Sequence, residues 1–369
     1  MFSANTIVSM KTIKYFKKSG NDVTLVFPGR SKDKVAYEEI LKFYDIKEDI
    51  DILRTSYFLP FGKVNFFNKT SYIISHFVWS LFIYLKYRLK NDGLQEILYF
   101  TRSNWVFYFF SRKNLKIIFE CHKYSKSTQL IFKLIGDKKS SGYIFQNSLL
   151  AESFVLSRTQ RKNMIIIPSA YDEDDFMFKP VLKKDRAIVF IGRFTRFNED
   201  RNLKFLINTF TNEKLKNFKL KLIGGPKYSA DILRSEVAKN NISNIEILDY
   251  KPQNKLMKIL SSNSIGILIN SSRDIHSKQH TSPVKYFEYV RAGLKILAVD
   301  FEAHKLLPYS DQIYFFKDGD SKDLTEKILK AEKDNIKPYK NVESYSYSYR
   351  IEKINQLFAR LEGFEPPTL

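Results

Sequence analysis

The chain has 369 residues, 44% hydrophobic and 27% charged, enough for two ordinary domains with substantial cores. Its formal net charge is +21, and the excess is uneven, since residues 1–170 hold 27 basic and 13 acidic side chains. A basic half favours anionic partners, although a chain rich in Lys, Ile, Phe, Asn and Tyr together also carries a compositional bias that accounts for part of the surplus. No basic run interleaves regularly with aromatics and no recognition helix stands out, which sets nucleic acid aside. A single cysteine, Cys121, excludes a disulfide framework and favours a reducing compartment. The N-terminus MFSANTIVSM lacks the basic-then-apolar pattern of a secretory signal. The stretch YIISHFVWSLFIYL (72–85) is short and interrupted by His76 and two serines, so it reads as a buried helix rather than a bilayer span.

In chain order, short apolar runs alternate with longer helical patterns. The first half offers strands at 23–27, 50–53, 97–100, 115–120, 142–146 and 164–168, with helices notably at 68–90 and 148–157. The second half offers strands at 187–192, 218–224, 244–248, 264–270, 294–300 and 312–316. Its helices fall at about 202–211, 229–240, 253–262, 283–292 and 321–333. Such alternation implies parallel sheets covered on both faces. Two series imply an α/β protein of two doubly wound domains, residues 1–170 and 171–345, then a helix at 346–362 packing back toward the first domain and a tail at 363–369. The break falls in the polar, proline-bearing segment 165–185. Doubly wound domains open on a strand, whereas this chain opens on a loop and helix. Removing a central strand would leave unpaired backbone groups on its neighbours, so residues upstream of Met1 are expected to supply one.

Ligands of such sheets bind outside the carboxyl ends of the strands. That rule selects Asn5 and Thr6, Arg102, His122, Arg193, Gly224 and the loop 272–285. In HTSPVKYFEYVRAGLKILAVD (280–300) Ser282 reads as an N-cap, Pro283 as the first helical position and Gly293 as the left-handed terminator. Lys285 then sits in the first turn, where the helix dipole disfavours a cation. It is either a solvated surface lysine or part of a phosphate site at the helix N-terminus. Arg193 offers a planar fork to phosphate oxygens or is a surface cap. Glu288 could accept bonds from ribose hydroxyls or face solvent, and Gly224 reads as turn chemistry near a ligand.

Taken together, SPVKYFEYVRAGLKILAVD (282–300), AIVFIGR (187–193), LKLIGG (220–225), IIIPSAYDEDDF (165–176), YFTRS (99–103), FECH (119–122) and the stretch 3–26 resemble a bacterial subgroup of the family 4 (group 1) retaining glycosyltransferases, which have the GT-B fold of two Rossmann-like domains facing a cleft. The resemblance covers nearly the whole chain. It implies a nucleotide-sugar donor, a glycan or lipid-linked acceptor in surface polysaccharide or cell-envelope synthesis, and no metal or other cofactor. It implies that Arg193 and Lys285, with backbone groups from Ser282, Pro283 and Val284 and help near Gly224, hold the diphosphate. Glu288 would hold the ribose and His122 would approach the transferred sugar, while Asn5, Thr6, Arg102 and His280 would face the sugar or acceptor. A cytoplasmic enzyme at the anionic inner face of the membrane fits the basic first half. Two departures stand out: His280 and Asn198 occupy positions where the family often has glutamate and lysine, with Arg196 or Arg201 as substitutes for the latter. A catalytically degenerate GT-B scaffold and a nucleotide-sugar epimerase of the same fold are the alternatives.

Overall fold

The structure, a computed structural model, describes residues 4–29, 37–56, 68–88, 97–176, 185–196, 199–335 and 338–363. The chain divides into two compact units. It opens with α1 (Ala4–Lys18), β1 (Thr24–Gly29), α2 (Tyr37–Phe43), β2 (Asp51–Ser56), α3 (Asn68–Arg88), β3 (Tyr99–Thr101) and α4 (Asn104–Ser111). β4 (Ile117–Cys121), α5 (Lys126–Ile135), β5 (Ser141–Phe145), α6 (Ser148–Glu152), α7 (Arg158–Lys162) and β6 (Met164–Ile166) follow. The expected helix at 148–157 is broken. Phe154 turns into the core, and Ser157 opens α7 with a capping box closed by Gln160.

Among the described residues, all strand pairs of the first unit are parallel, and they form the sheets β1-β2 and β3-β4-β5-β6. Every residue of β4 and β5 is buried, as expected for strands covered on both faces. Around them Phe107, Phe132, Tyr143, Phe145 and Phe154 pack edge-to-face or tilted, a geometry that the ring quadrupoles favour.

The second unit begins with β7 (Asp185–Arg193), the short antiparallel pair β8 (Thr195–Arg196) and β9 (Glu199–Asp200), α8 (Leu203–Thr209), β10 (Lys219–Gly225), α9 (Lys227–Lys239), β11 (Ile245–Asp249) and α10 (Gln253–Ser261). It continues through β12 (Asn263–Leu268), α11 (Val284–Arg291), β13 (Lys295–Val299), α12 (Glu302–Lys305), β14 (Ile313–Phe316) and α13 (Ser321–Lys333). The six long strands are parallel in the order β11-β10-β7-β12-β13-β14. This is the doubly wound order, with its reversal between β7 and β12, where such sheets hold their ligands. The last helix, α14 (Tyr347–Glu362), belongs to the first unit. It buries Arg350, Ile351, Ile354, Leu357 and Phe358, a helical stripe in an otherwise polar sequence.

Candidate functional site

The switch point of the second unit is shaped by two glycines and a tyrosine. Gly266 of β12 has no side chain, and a Cβ there would lie 2.4 Å from the Tyr289 ring. The ring therefore lies flat on the sheet and draws α11 close. Pairing between β7 and β12 reaches only Val189 and Gly266. Past that point the Ile191 N–H donates to the Tyr289 hydroxyl at 3.2 Å instead of to a strand. The carboxyl end of β7 thus parts from β12 with its buried donor satisfied.

Lys285 reaches into this place. Its ammonium lies 3.7 Å from the centroid of the Phe190 ring, and a Cβ at Gly192 would be 3.9 Å from Nζ. Phe190 and Gly192 share one face of β7 by the two-residue period of a strand, so Phe190 forms a floor and Gly192 leaves room above it. Gly192 also holds φ +113°, a left-handed conformation that suits glycine. Arg193, the next residue, ends β7 and is exposed. Burial raises the Tyr250 phenol above its usual range, and Arg193 and Arg201 oppose that shift, which places both guanidiniums near the end of β11. Behind Lys285, His304 is buried with its Nδ1–H donating to the Val299 carbonyl at 2.8 Å. Burial, and Lys285 after it, hold that imidazole neutral, with its pKa lowered to about 4.

The helix start differs from the expected one. Its cap is Pro283, and no side chain caps α11. Ser282 is not the cap. Its hydroxyl accepts the Ser169 N–H at 2.9 Å, and its carbonyl accepts from the Ser169 hydroxyl at 2.6 Å. Ser282 therefore ties the segment after β6 to the front of α11, leaving the amide end of the helix to its dipole. The far end fits the expectation: Gly293 at φ +66° closes a Schellman motif, in which the Gly293 and Leu294 N–H groups bond the Val290 and Tyr289 carbonyls. Glu288 is buried rather than solvated, and its carboxylate accepts from Gln253 Nε2 at 2.6 Å.

Gly224 also differs. It lies inside β10, paired with Gly192, and a Cβ there would fall 1.7 Å from the Gly192 carbonyl oxygen. Strand packing, not a turn, requires that glycine. His280 is buried at the end of a π-helical turn, His276–His280, and burial lowers its pKa. Asn5 and Thr6, expected in a loop, fall in the first turn of α1, with Thr6 exposed. Asn198 and the side chain of Arg196 lie outside the described residues.

In the first unit Arg102 bonds within the protein. Its Nε and Nη2 donate to Glu120 Oε2 at 2.9 and 2.7 Å, and its Nη1 to the Ser9 hydroxyl at 2.9 Å. Arg350 of α14 pairs with Glu120 Oε1 and donates to the Ile167 carbonyl at 3.1 Å. His122, just past β4, sets Nε2 3.1 Å from the same Oε1. Burial alone would raise the Glu120 pKa, but Arg102, Arg350 and His122 outweigh it and hold the carboxyl well below its usual range. For His122 burial lowers the pKa, and the nearby Glu120 carboxylate opposes that shift without reversing it. The resemblance singled out Arg102 and His122 but not Glu120 or Arg350, whose partners lie 18 and 230 residues apart. Among the described residues, no group of three or more His, Cys, Asp or Glu is placed to hold a metal ion.

No protein-family model matches this chain, and no curated protein matches it in sequence. Solved structures match it in shape. A sucrose-phosphate synthase from Thermosynechococcus elongatus gives a TM-score of 0.69 at 13% identity, over 98% of this chain and 94% of that one. HepE from Anabaena, solved with UDP and glucose, gives 0.59 at 11% identity, over 98% and 95%. A protein described as a UDP-N-acetylglucosamine 2-epimerase from Listeria monocytogenes gives 0.59 at 10% identity, over 100% and 97%. Likeness at such low identity establishes the fold, and the fold is GT-B, built from two Rossmann-like domains.

Proposed function

We propose that this chain is a retaining glycosyltransferase that moves a sugar from a nucleoside-diphosphate donor to a glycan or lipid-linked acceptor. The observation that carries the reading is the Lys285 ammonium, set over Phe190 and against Gly192 at the switch point of the sheet. It stands in the first turn of a helix that no side chain caps. A cation placed where a helix dipole disfavours it fits an anionic ligand that both would bind. In the transfer, the bond between the anomeric carbon and the β-phosphate oxygen breaks and its electron pair leaves with the diphosphate. The acceptor hydroxyl oxygen bonds that carbon, and its proton passes to the departing phosphate. Lys285, the α11 amides and Arg193 stabilise the charge that grows on the leaving group.

Glu288, oriented by Gln253, is the carboxylate proposed for the ribose hydroxyls. His122 is the group proposed to meet the transferred sugar. The family role, the sugar and the acceptor are part of this proposal, as is a station at the inner face of the membrane.

The test is a thermal-shift panel of UDP-, GDP- and ADP-sugars, followed by a donor-turnover assay. One nucleotide class is expected to stabilise the parent and to be slowly hydrolysed or transferred. Neither binding nor turnover would favour the scaffold reading and defeat the transferase reading. Conversion of UDP-N-acetylglucosamine to its 2-epimer would favour the epimerase reading.

A further inference from the structure

The carboxyl end of β12 carries a buried group that the chemistry described so far leaves unused. β12 is central in its sheet, with β7 on one side and β13 on the other. Its pairing with β7 reaches Gly266, and its pairing with β13 reaches Leu268. Asn270 follows shortly after. Carried forward by register, it stands level with Arg193 of β7 and with Asp300 just past β13. This is the switch point, on the edge where such sheets bind ligands. Asn270 is 8% exposed, and its Oδ1 is buried with no hydrogen-bond partner among the described residues. Its backbone is held by Asn202, whose Nδ2 donates to the Asn270 carbonyl at 3.2 Å and to Asp318 Oδ1 at 3.1 Å. Asn263, at the opposite end of the strand, also leaves an Oδ1 unpaired, but its Nδ2 donates to the Ile259 carbonyl.

An unpaired buried carbonyl is costly, because it has given up water and gained no partner. A site built to hydrogen-bond a ligand recovers that cost when the ligand binds. The partner must donate a hydrogen, since an amide oxygen only accepts. An ionised phosphate is a poor match, whereas a sugar hydroxyl or an acylamino N–H fits. Position narrows the choice. In the donor site proposed above, Lys285 holds the diphosphate at the end of β7, and Glu288 with Gln253 holds the ribose. Gln253 opens α10, the helix that follows β11. β11 lies beyond β10 on one side of β7, and β12 lies on the other. The nucleoside then extends toward β11, and the group carried by the second phosphate extends toward β12. We propose, resting on that donor site, that Asn270 determines sugar specificity: its Oδ1 accepts a hydroxyl or amide hydrogen of the transferred sugar.

The test is calorimetric titration of the full chain and two variants with UDP, GDP and ADP, and with UDP-glucose, GDP-mannose and ADP-glucose. Asn270→Leu keeps the volume and drops the amide, and Asn270→Ala drops both. For the nucleotide that the parent binds, each variant is expected to hold the bare diphosphate like the parent. Each is expected to hold the sugar form about tenfold more weakly, through the loss of one buried hydrogen bond. Because the replaced group has no partner in the free protein, the Tm of Asn270→Leu is expected not to fall. An equal loss for both ligands, or a lowered Tm in both variants, would overturn the proposal, since either would assign the amide to the fold rather than to the sugar. Diphosphate binding with an unchanged ratio of the two affinities would overturn this proposal alone. Failure of the parent to bind any diphosphate would overturn the donor site and this proposal with it.

Discussion

In the first unit the guanidiniums of Arg102 and Arg350 close on the carboxylate of Glu120, with His122 on the same oxygen as Arg350. In the second unit Lys285 stands over an aromatic ring at the positive end of α11, and Arg193 is exposed at the end of β7 without an ion pair among the described residues. The first arrangement brings opposite charges together; the second sets a cation over an aromatic ring, where the proposed function needs a diphosphate to bind. A buried carboxylate between two arginines is a structural device, and its removal leaves two buried cations uncompensated. A lysine at a helix N-terminus contributes little to folding. Stability and binding should therefore separate cleanly between the two places.

The largest expected effect is on stability in the first unit. Glu120→Gln should cost roughly 3–5 kcal/mol. Both tryptophans, Trp79 and Trp105, lie in that unit, so urea unfolding followed by tryptophan fluorescence reads it alone. A loss below about 1 kcal/mol would mean that the network is not structural. The Glu120 carboxyl sits below its unfolded value, so its contribution is complete above the unfolded carboxylate range and fades as pH falls through the lower folded value.

The next effect belongs to His304 in the second unit. Its folded pKa of about 4 lies below an unfolded value near 6.5. The unfolded chain therefore binds the proton first, and stability declines as pH falls from about 6.5 to about 4, by roughly 3 kcal/mol in all. His304→Asn can still donate to the Val299 carbonyl but does not titrate. Calorimetry across that range should show a flatter decline for the variant, and parallel curves would refute the assignment. A smaller effect follows at Ser282. Ser282→Ala leaves the buried Ser169 N–H without its acceptor, at a cost of roughly 1–3 kcal/mol, and should speed hydrogen exchange at that amide.

Much of this was legible in the sequence. Short apolar runs and helix punctuation located the second unit's sheet, because strands buried on both faces of a parallel sheet read as near-continuous hydrophobic runs. Gly293 was readable as a terminator because little but glycine accepts its backbone. Ser282 misled because a serine before a proline looks like a cap, whereas its hydroxyl bonds a residue 113 positions away. The role of Gly224 was hidden for the same reason: the atom it must avoid belongs to a neighbouring strand. Arg102, read as facing a sugar, is claimed by Glu120, and Glu120 by an arginine on the last helix. Local spacing reports what the chain does to itself within a few residues, and these contacts are made between distant ones.

The most direct test of the central claim is a calorimetric titration of UDP, GDP and ADP into the parent and Lys285→Ala, with unfolding of both measured alongside. The account predicts that one diphosphate binds the parent. It predicts that the variant binds it at least about tenfold more weakly, since hydrogen bonds to charged groups are worth roughly 1.5–3 kcal/mol, while its stability stays within about 1 kcal/mol of the parent's. Equal affinity in the two proteins, or weak binding explained by an unfolded variant, would contradict a diphosphate site at Lys285.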